Sequence, residues 1–174
     1  VVGASSPVRD LDLVAAWDEP PLVVANRGLS GIDGTLSTAA GVALGLGRPV
    51  RAYVGDLTFL HDVGGLLAGP LERRPDLRVV VANDDGGSLF ATIEHGDPGN
   101  RVFERVFATP HGADLGALCA GLGVRHVRVD DAGALGEAVA APVAGVEVVE
   151  VAVDRAERRA LHERLAEAAA RAIG

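Results

Sequence analysis

The chain has 174 residues, a formal net charge of −8, 48% hydrophobic and 23% charged residues, and only 3% aromatics. That length supports one domain with a substantial core, while the acidic balance and the scarcity of aromatics argue against a nucleic-acid partner, which needs a basic footprint and stacking surfaces. No run approaches the roughly 18–20 apolar residues of a membrane span, and the lone Cys119 can form no internal disulfide, which fits a reducing cytoplasm.

The elements read as follows in chain order. Pro7 suits the first turn of a helix over 7–17. The apolar run 22–25 reads as a strand, and a helix follows over 35–46. A second strand spans 50–54, interrupted only by Arg51, with a helix over 57–67. The run 79–82 is continuous and apolar, as expected of a strand buried on both faces. The segment 94–100, EHGDPGN, is a loop. A helix over 114–121, a strand over 124–129, a helix over 132–139 and a strand over 146–153 come next. The last helix spans 154–173, with Asp154 as its N-cap, and its stripe Leu161, Leu165, Ala168 and Ala172 is expected to pack on the sheet. Val-rich strands alternating with helices predict an α/β fold: a doubly wound, mainly parallel sheet with helices on both faces and right-handed crossovers. Nothing signals a second domain within 1–174. The first residue is not Met and no Met occurs anywhere, so the chain is expected to be a piece of a longer protein.

Three segments could carry chemistry. Gly55-Asp56-Leu57 and Asn83-Asp84-Asp85-Gly86 each follow an apolar strand, placing Asp56 and Asp84 at strand ends 28 positions apart. Open parallel sheets bind ligands outside the carboxyl ends of their strands. Two carboxylates and a glycine-freed carbonyl suit a hard cation such as Mg2+ that shares phosphate oxygens. Taken singly, each aspartate also reads as a helix cap or turn residue. Gly28, Gly31 and Gly34 lie in the segment between the strand at 22–25 and the helix at 35–46, either as an anion-cradling turn or as a plain β–α connection. Arg9 and Arg27 carry planar donor forks suited to carboxylates. The five histidines share no metal-binding spacing; His111, in a loop, is the best placed of them for a site.

The phrases NRGLSGIDGTLSTAAG at 26–41, GDLTFLHD at 55–62 and NDDGGSLF at 83–90 resemble the thiamin-diphosphate enzymes. The general pattern there is G-D-G followed by N-N; here Leu57 stands for the last glycine and Asp84 for the second asparagine. The long phrase at 26–41, with ASSPVRD at 4–10 and FERVFATPH at 103–111, is similar to the family of 2-succinyl-5-enolpyruvyl-6-hydroxy-3-cyclohexene-1-carboxylate synthases of menaquinone biosynthesis. The resemblance covers essentially the whole chain and implies the C-terminal domain of a three-domain, at least dimeric enzyme. It implies thiamin diphosphate as cofactor, with Mg2+ (or Mn2+) held by the side chains of Asp56 and Asp84 and the carbonyl of Gly86. Gly31, Ile32, Gly55, Leu57, Gly87, Leu89 and Phe90 would also contact the cofactor, Ile32 as the apolar prop of its bent shape. Ser5, Arg9 and Arg27 match positions that contact substrate carboxylates.

The implied reaction is decarboxylation of 2-oxoglutarate and addition of the succinyl carbanion equivalent to isochorismate. The activating glutamate is expected in an N-terminal domain of a partner subunit, so no catalytic residue is assigned here and the isolated chain is expected to be inactive. Three alternatives are a domain of another thiamin-dependent decarboxylase or carboligase, a non-catalytic diphosphate-binding module, and an Mg2+-dependent phosphohydrolase. The last would want Asp-x-Asp directly after a strand, and the only such pair, Asp10-Leu11-Asp12, falls in a predicted helix.

Overall fold

A computed structural model describes residues 1–26, 31–96 (without the His95 side chain) and 100–173. By compactness the chain divides into two units, Val1–Asn83 with Ala113–Ala152, and Asp84–Gly112 with Val153–Gly174.

The first unit is built on four parallel strands, β1 (Val50–Gly55), β2 (Leu77–Asn83), β3 (Arg125–Val129) and β4 (Val146–Ala152), in the order β1-β2-β4-β3. The register pairs Val50 with Leu77 and Gly55 with Ala82, so β1 and β2 end side by side. Every residue of β2 from Leu77 to Val81 is buried, which requires cover on both faces, as the continuous apolar run implies. Helices α1 (Ser6–Val14), α2 (Thr35–Leu46), α3 (Asp56–His61), α4 (Leu115–Gly121) and α5 (Ala132–Ala140) belong to this unit. Pro7 lies in the first turn of α1 as expected. Asp114 and Asp131 cap α4 and α5 by accepting the N–H groups of Ala117 and Ala134 at 2.8 and 2.9 Å. Leu36, Ala39, Val54, Phe59, Leu77, Val79, Val81, Leu115, Cys119 and Val148 form one core cluster.

Three expectations are corrected. The run 22–25 is not a strand. Residues 1–3 run alongside β1 instead, through the N–H of Gly3 to the Tyr53 carbonyl (2.8 Å) and the N–H of Tyr53 to the Val1 carbonyl (2.9 Å). The Val24 carbonyl accepts from Val2 N–H; one such bond does not make a ladder, and Leu22 and Val23 stay exposed. The helix expected over 57–67 is α3 followed by a separate 3₁₀ turn, Val63–Leu66. Asp62 interrupts it, turning its carboxylate to the N–H (2.7 Å) and hydroxyl (3.0 Å) of Ser37 in the first turn of α2, ahead of a weak Gly64-Gly65 pair.

The second unit holds two 3₁₀ turns, Ser88–Thr92 and Glu94–Gly96, a π turn, Glu104–Ala108, and α6 (Arg158–Ile173). The third correction concerns α6. It starts four residues later than expected because Asp154 accepts the N–H of Ala156 (2.8 Å) in a local turn rather than capping the helix. None of its residues is buried, and Leu161 and Leu165 are 43% and 39% exposed, so the stripe does not find the burial predicted for it. Within its unit α6 is tied by Arg159, whose Nη1 donates to the carbonyls of Ala91 (2.9 Å) and Gly96 (2.8 Å). No helix of the described residues is long and apolar enough to cross a membrane.

Candidate metal and diphosphate site

In the first unit, the short stretch 1–3 runs parallel to β1, so the start of α1 and the start of α3 leave the sheet at the same, carboxyl-terminal end. Asp56 opens α3 directly after β1 and is 2% exposed. One of its oxygens accepts the N–H of Leu57 at 2.7 Å. A Cβ placed on Gly55 would meet nothing within 4 Å, so the backbone before Asp56 faces open space. Ser5 and Arg9 are brought together, with Arg9 Nη1 donating to the Ser5 carbonyl at 2.7 Å. Ser5 has φ 74°, a backbone state costly for a serine. Gly31 is exposed and Ile32 half-buried just before α2. Arg27 and Gly28 lie outside the described residues.

Asn83 closes β2, and its Nδ2 donates to Glu150 Oε1 at 2.8 Å. The other oxygen of this buried glutamate is 2.8 Å from His126 Nε2. His126 is therefore a partner of a sheet carboxylate. Sequence reading missed Glu150; the available signal was a carboxylate inside the apolar strand VEVVEVA, which must find a partner when buried.

In the second unit, the chain continues from Asn83 through Asp84, Asp85, Gly86 and Gly87. Asp85 adopts φ 56°. Its Oδ1 accepts the backbone N–H groups of Gly112 (2.8 Å) and His111 (3.0 Å). These amides, that of Gly112 foremost, hold its carboxyl below the usual carboxylate range, with the His111 ring and Arg155 adding to the effect. Gly86 has φ 142°, and a Cβ on it would lie 2.2 Å from the Ala108 carbonyl oxygen. The N–H of Gly87 donates to that same oxygen at 2.6 Å. The loop is thus packed backbone to backbone on the π turn, an arrangement open only to glycine. Arg155 donates through Nη2 to Glu104 at 2.7 Å, while its buried Nη1 has no hydrogen-bond acceptor among the described residues. Leu89 and Phe90 lie in the 3₁₀ turn after the glycines, with the Phe90 ring 5.9 Å from that of Phe107.

Among the described residues no three His, Cys, Asp or Glu side chains stand together as a metal cluster. A groove of about 440 Å³ lies at the opposite end of the sheet from Asp56, lined by Leu44, Leu66, Arg73, Leu77 and Val146 among others. Cys119 is buried, and burial, with the Glu150 charge adding to it, pushes its thiol up to about 11. Cys119 is therefore expected to resist a thiol-alkylating reagent at pH 8 in the native protein and to react once the protein is unfolded in denaturant, since the thiolate is the nucleophile. Reaction of the native protein as fast as the unfolded one would contradict this.

Comparison with known proteins adds the rest. The family described as thiamine pyrophosphate enzyme, C-terminal TPP binding domain, matches residues 9–153. The 2-succinyl-5-enolpyruvyl-6-hydroxy-3-cyclohexene-1-carboxylate synthase of Saccharopolyspora erythraea is 53% identical over 166 residues, covering 95% of this chain and 30% of the relative. The enzymes of that name from Nocardioides sp. (54%, covering 95% of this chain and 32% of the relative) and Paenarthrobacter aurescens (49%, covering 100% and 32%) are similar. The chain thus spans about a third of the length of these relatives. Among solved structures, the benzoylformate decarboxylase from Polynucleobacter necessarius superimposes with a TM-score of 0.53 at 24% identity, over 69% of this chain and 23% of that one, a likeness of fold. The chain belongs to the family of the thiamine pyrophosphate enzyme C-terminal, TPP-binding domain.

Proposed function

We propose that the chain is the diphosphate- and metal-holding domain of a 2-succinyl-5-enolpyruvyl-6-hydroxy-3-cyclohexene-1-carboxylate synthase, a carboligating transferase of menaquinone biosynthesis. The observation that carries this reading is the agreement of relatives 49–54% identical over 95–100% of the chain, all of that name. The substrates are then 2-oxoglutarate and isochorismate, and the whole enzyme is a cytoplasmic homodimer whose other domains supply the activating glutamate.

Asp56, Asp84 and the Gly86 carbonyl hold Mg2+ or Mn2+. The donor set fits a hard cation: two carboxylates and a backbone oxygen leave the remaining positions to phosphate and water, which is compatible with the lack of a larger side-chain cluster among the described residues. The open space over Gly55 supports close approach of a ligand beside Asp56. Gly31, Ile32, Leu57, Gly87, Leu89 and Phe90 complete the cofactor contacts. Ser5, Arg9 and Arg27 take the substrate carboxylates through hydroxyl and guanidinium donors. Thiamin diphosphate, when bound, supplies the electron sink for carbanion chemistry. This chain's residues anchor and orient it.

Calorimetric titration of thiamin diphosphate with Mg2+, and again with a chelator, tests the reading. Binding is expected only with the metal, and at least about tenfold weaker in Asp56→Ala and Asp84→Ala, as loss of a metal-site group implies. The 174-residue protein by itself is expected to release no carbon dioxide from 2-oxoglutarate. Binding indifferent to chelator and to both substitutions would overturn the site; turnover by the isolated chain would overturn the division of labour.

A further inference from the structure

Resting on the metal and diphosphate reading above, we propose that Asp85 is a positioning residue: by accepting the His111 and Gly112 amides it presets the loop 84–87 for the metal. Asp85 is the one residue between Asp84 and Gly86, two of the three proposed ligands. Its φ and ψ therefore set the direction of the Asp84 backbone relative to the Gly86 carbonyl. It holds φ 56°, a left-handed state that among non-glycine residues mainly Asn and Asp adopt, when their side chains are hydrogen-bonded locally.

The surroundings are visible. Oδ1 of Asp85 accepts two consecutive backbone N–H groups, at 3.0 Å from His111 and 2.8 Å from Gly112. The His111 ring nitrogen Nδ1 is 3.5 Å from the same oxygen. Two residues on, the N–H of Gly87 is fixed to the Ala108 carbonyl at 2.6 Å. The loop is thereby fastened to the segment 108–112 at both ends of Gly86. Two adjacent glycines would otherwise leave it conformationally free, and the cost of ordering it would oppose metal binding. The carboxylate acts through hydrogen-bond acceptance, so an amide oxygen in its place serves as well, and Asn tolerates the left-handed state.

Two substitutions separate this role from a general structural one. Asp85→Asn keeps the acceptor and the backbone preference; Asp85→Gly keeps the backbone freedom and removes the acceptor. Thiamin diphosphate is titrated with Mn2+ into each, into the parent and into Asp84→Ala, at a temperature well below every variant's melting point. Asp85→Asn is expected to bind like the parent and Asp85→Gly about 10–100-fold more weakly, the usual cost of losing a group that orients a metal ligand. A purely structural Asp85 would shift the melting point and leave the affinity of the folded protein unchanged. Parent-like binding by Asp85→Gly, or equal losses in both Asp85 variants, overturns the proposal while loss in Asp84→Ala leaves the site reading standing. No binding by the parent, or none lost in Asp84→Ala, overturns that reading and this proposal with it.

Discussion

Replacing Gly86 by alanine is expected to abolish metal-dependent binding of thiamin diphosphate and to destabilise the protein by about 3 kcal/mol or more. Two independent penalties combine. At φ 142° an L residue is strained whatever space it has. The space is also missing, because the added carbon would sit 2.2 Å from the Ala108 carbonyl oxygen, which is backbone and cannot rotate aside. That oxygen already accepts the Gly87 N–H, so pushing it away breaks a second contact. Gly136, in α5, is the matched control: a Cβ there meets nothing within 4 Å, and Gly136→Ala is expected to be neutral or to stabilise by up to about 1 kcal/mol through helix propensity. Thermal melting and the calorimetric titration check both. A Gly86→Ala protein that melts and binds like the parent would show that the loop does not hold the conformation described.

Glu147→Ala is expected to cost about 3–5 kcal/mol, the loss that follows when one member of a buried ion pair is removed. Arg78, 2% exposed near the start of the inner strand β2, is held by Nε and Nη2 to Glu147 Oε1 and by Nη1 and Nη2 to the carbonyls of Val139, Ala141 and Pro142. The three carbonyls come from the end of α5 and the turn after it, so one guanidinium pins that turn to β2. Without Glu147 its charge remains buried with neutral acceptors only. The melting temperature is expected to fall by on the order of 10 °C. The double substitution Arg78→Met with Glu147→Leu is expected to be far milder, because it removes both charges together. Since Arg78 and Glu147 lie near the amino-terminal ends of β2 and β4, cofactor affinity measured below the transition is expected to stay unchanged. Equal losses in the single and double variants would refute the charge argument.

Much of the scaffold was legible because it rests on sequence-local signals. Val-rich runs located β1, β2, β3 and β4 to within two residues at most ends, the continuous one at 79–82 being the clearest because it lies in a strand buried on both faces. The run at 22–25 looked the same and is no strand, because apolar character does not supply a hydrogen-bonding neighbour; residues 1–3 occupy the edge of β1 instead. Asp62 and Asp154 ended or delayed helices through side-chain bonds to backbone amides, and periodicity does not register such competition. At the candidate site, the strand-end placement of Asp56 and Asp84 could be read from the chain. The fastening of Asp85 could not: its partners are main-chain N–H groups 26 and 27 positions away, which carry no residue signature. Arg78 fell outside the strand read at 79–82 and belongs to β2, where a guanidinium in a buried strand implies a carboxylate opposite, here Glu147 in register.

The strand order β1-β2-β4-β3 has a consequence for how the protein is made. The last of the four strands among the described residues is inserted between the second and the third. While the polypeptide is still being synthesised, β2 has β1 on one side and nothing on the other. Its open edge is the strand Leu77–Asn83, apolar but for Arg78 and Asn83, and Arg78 waits there without its carboxylate. Such an edge is a template for pairing with any other extended chain, and closing it across some 70 intervening residues is slow relative to local folding. The sheet is therefore completed only after residues 146–152 have been synthesised, and a chain terminated ahead of them is left with the β1–β2 pair and β3 without its sheet neighbour, an aggregation-prone species.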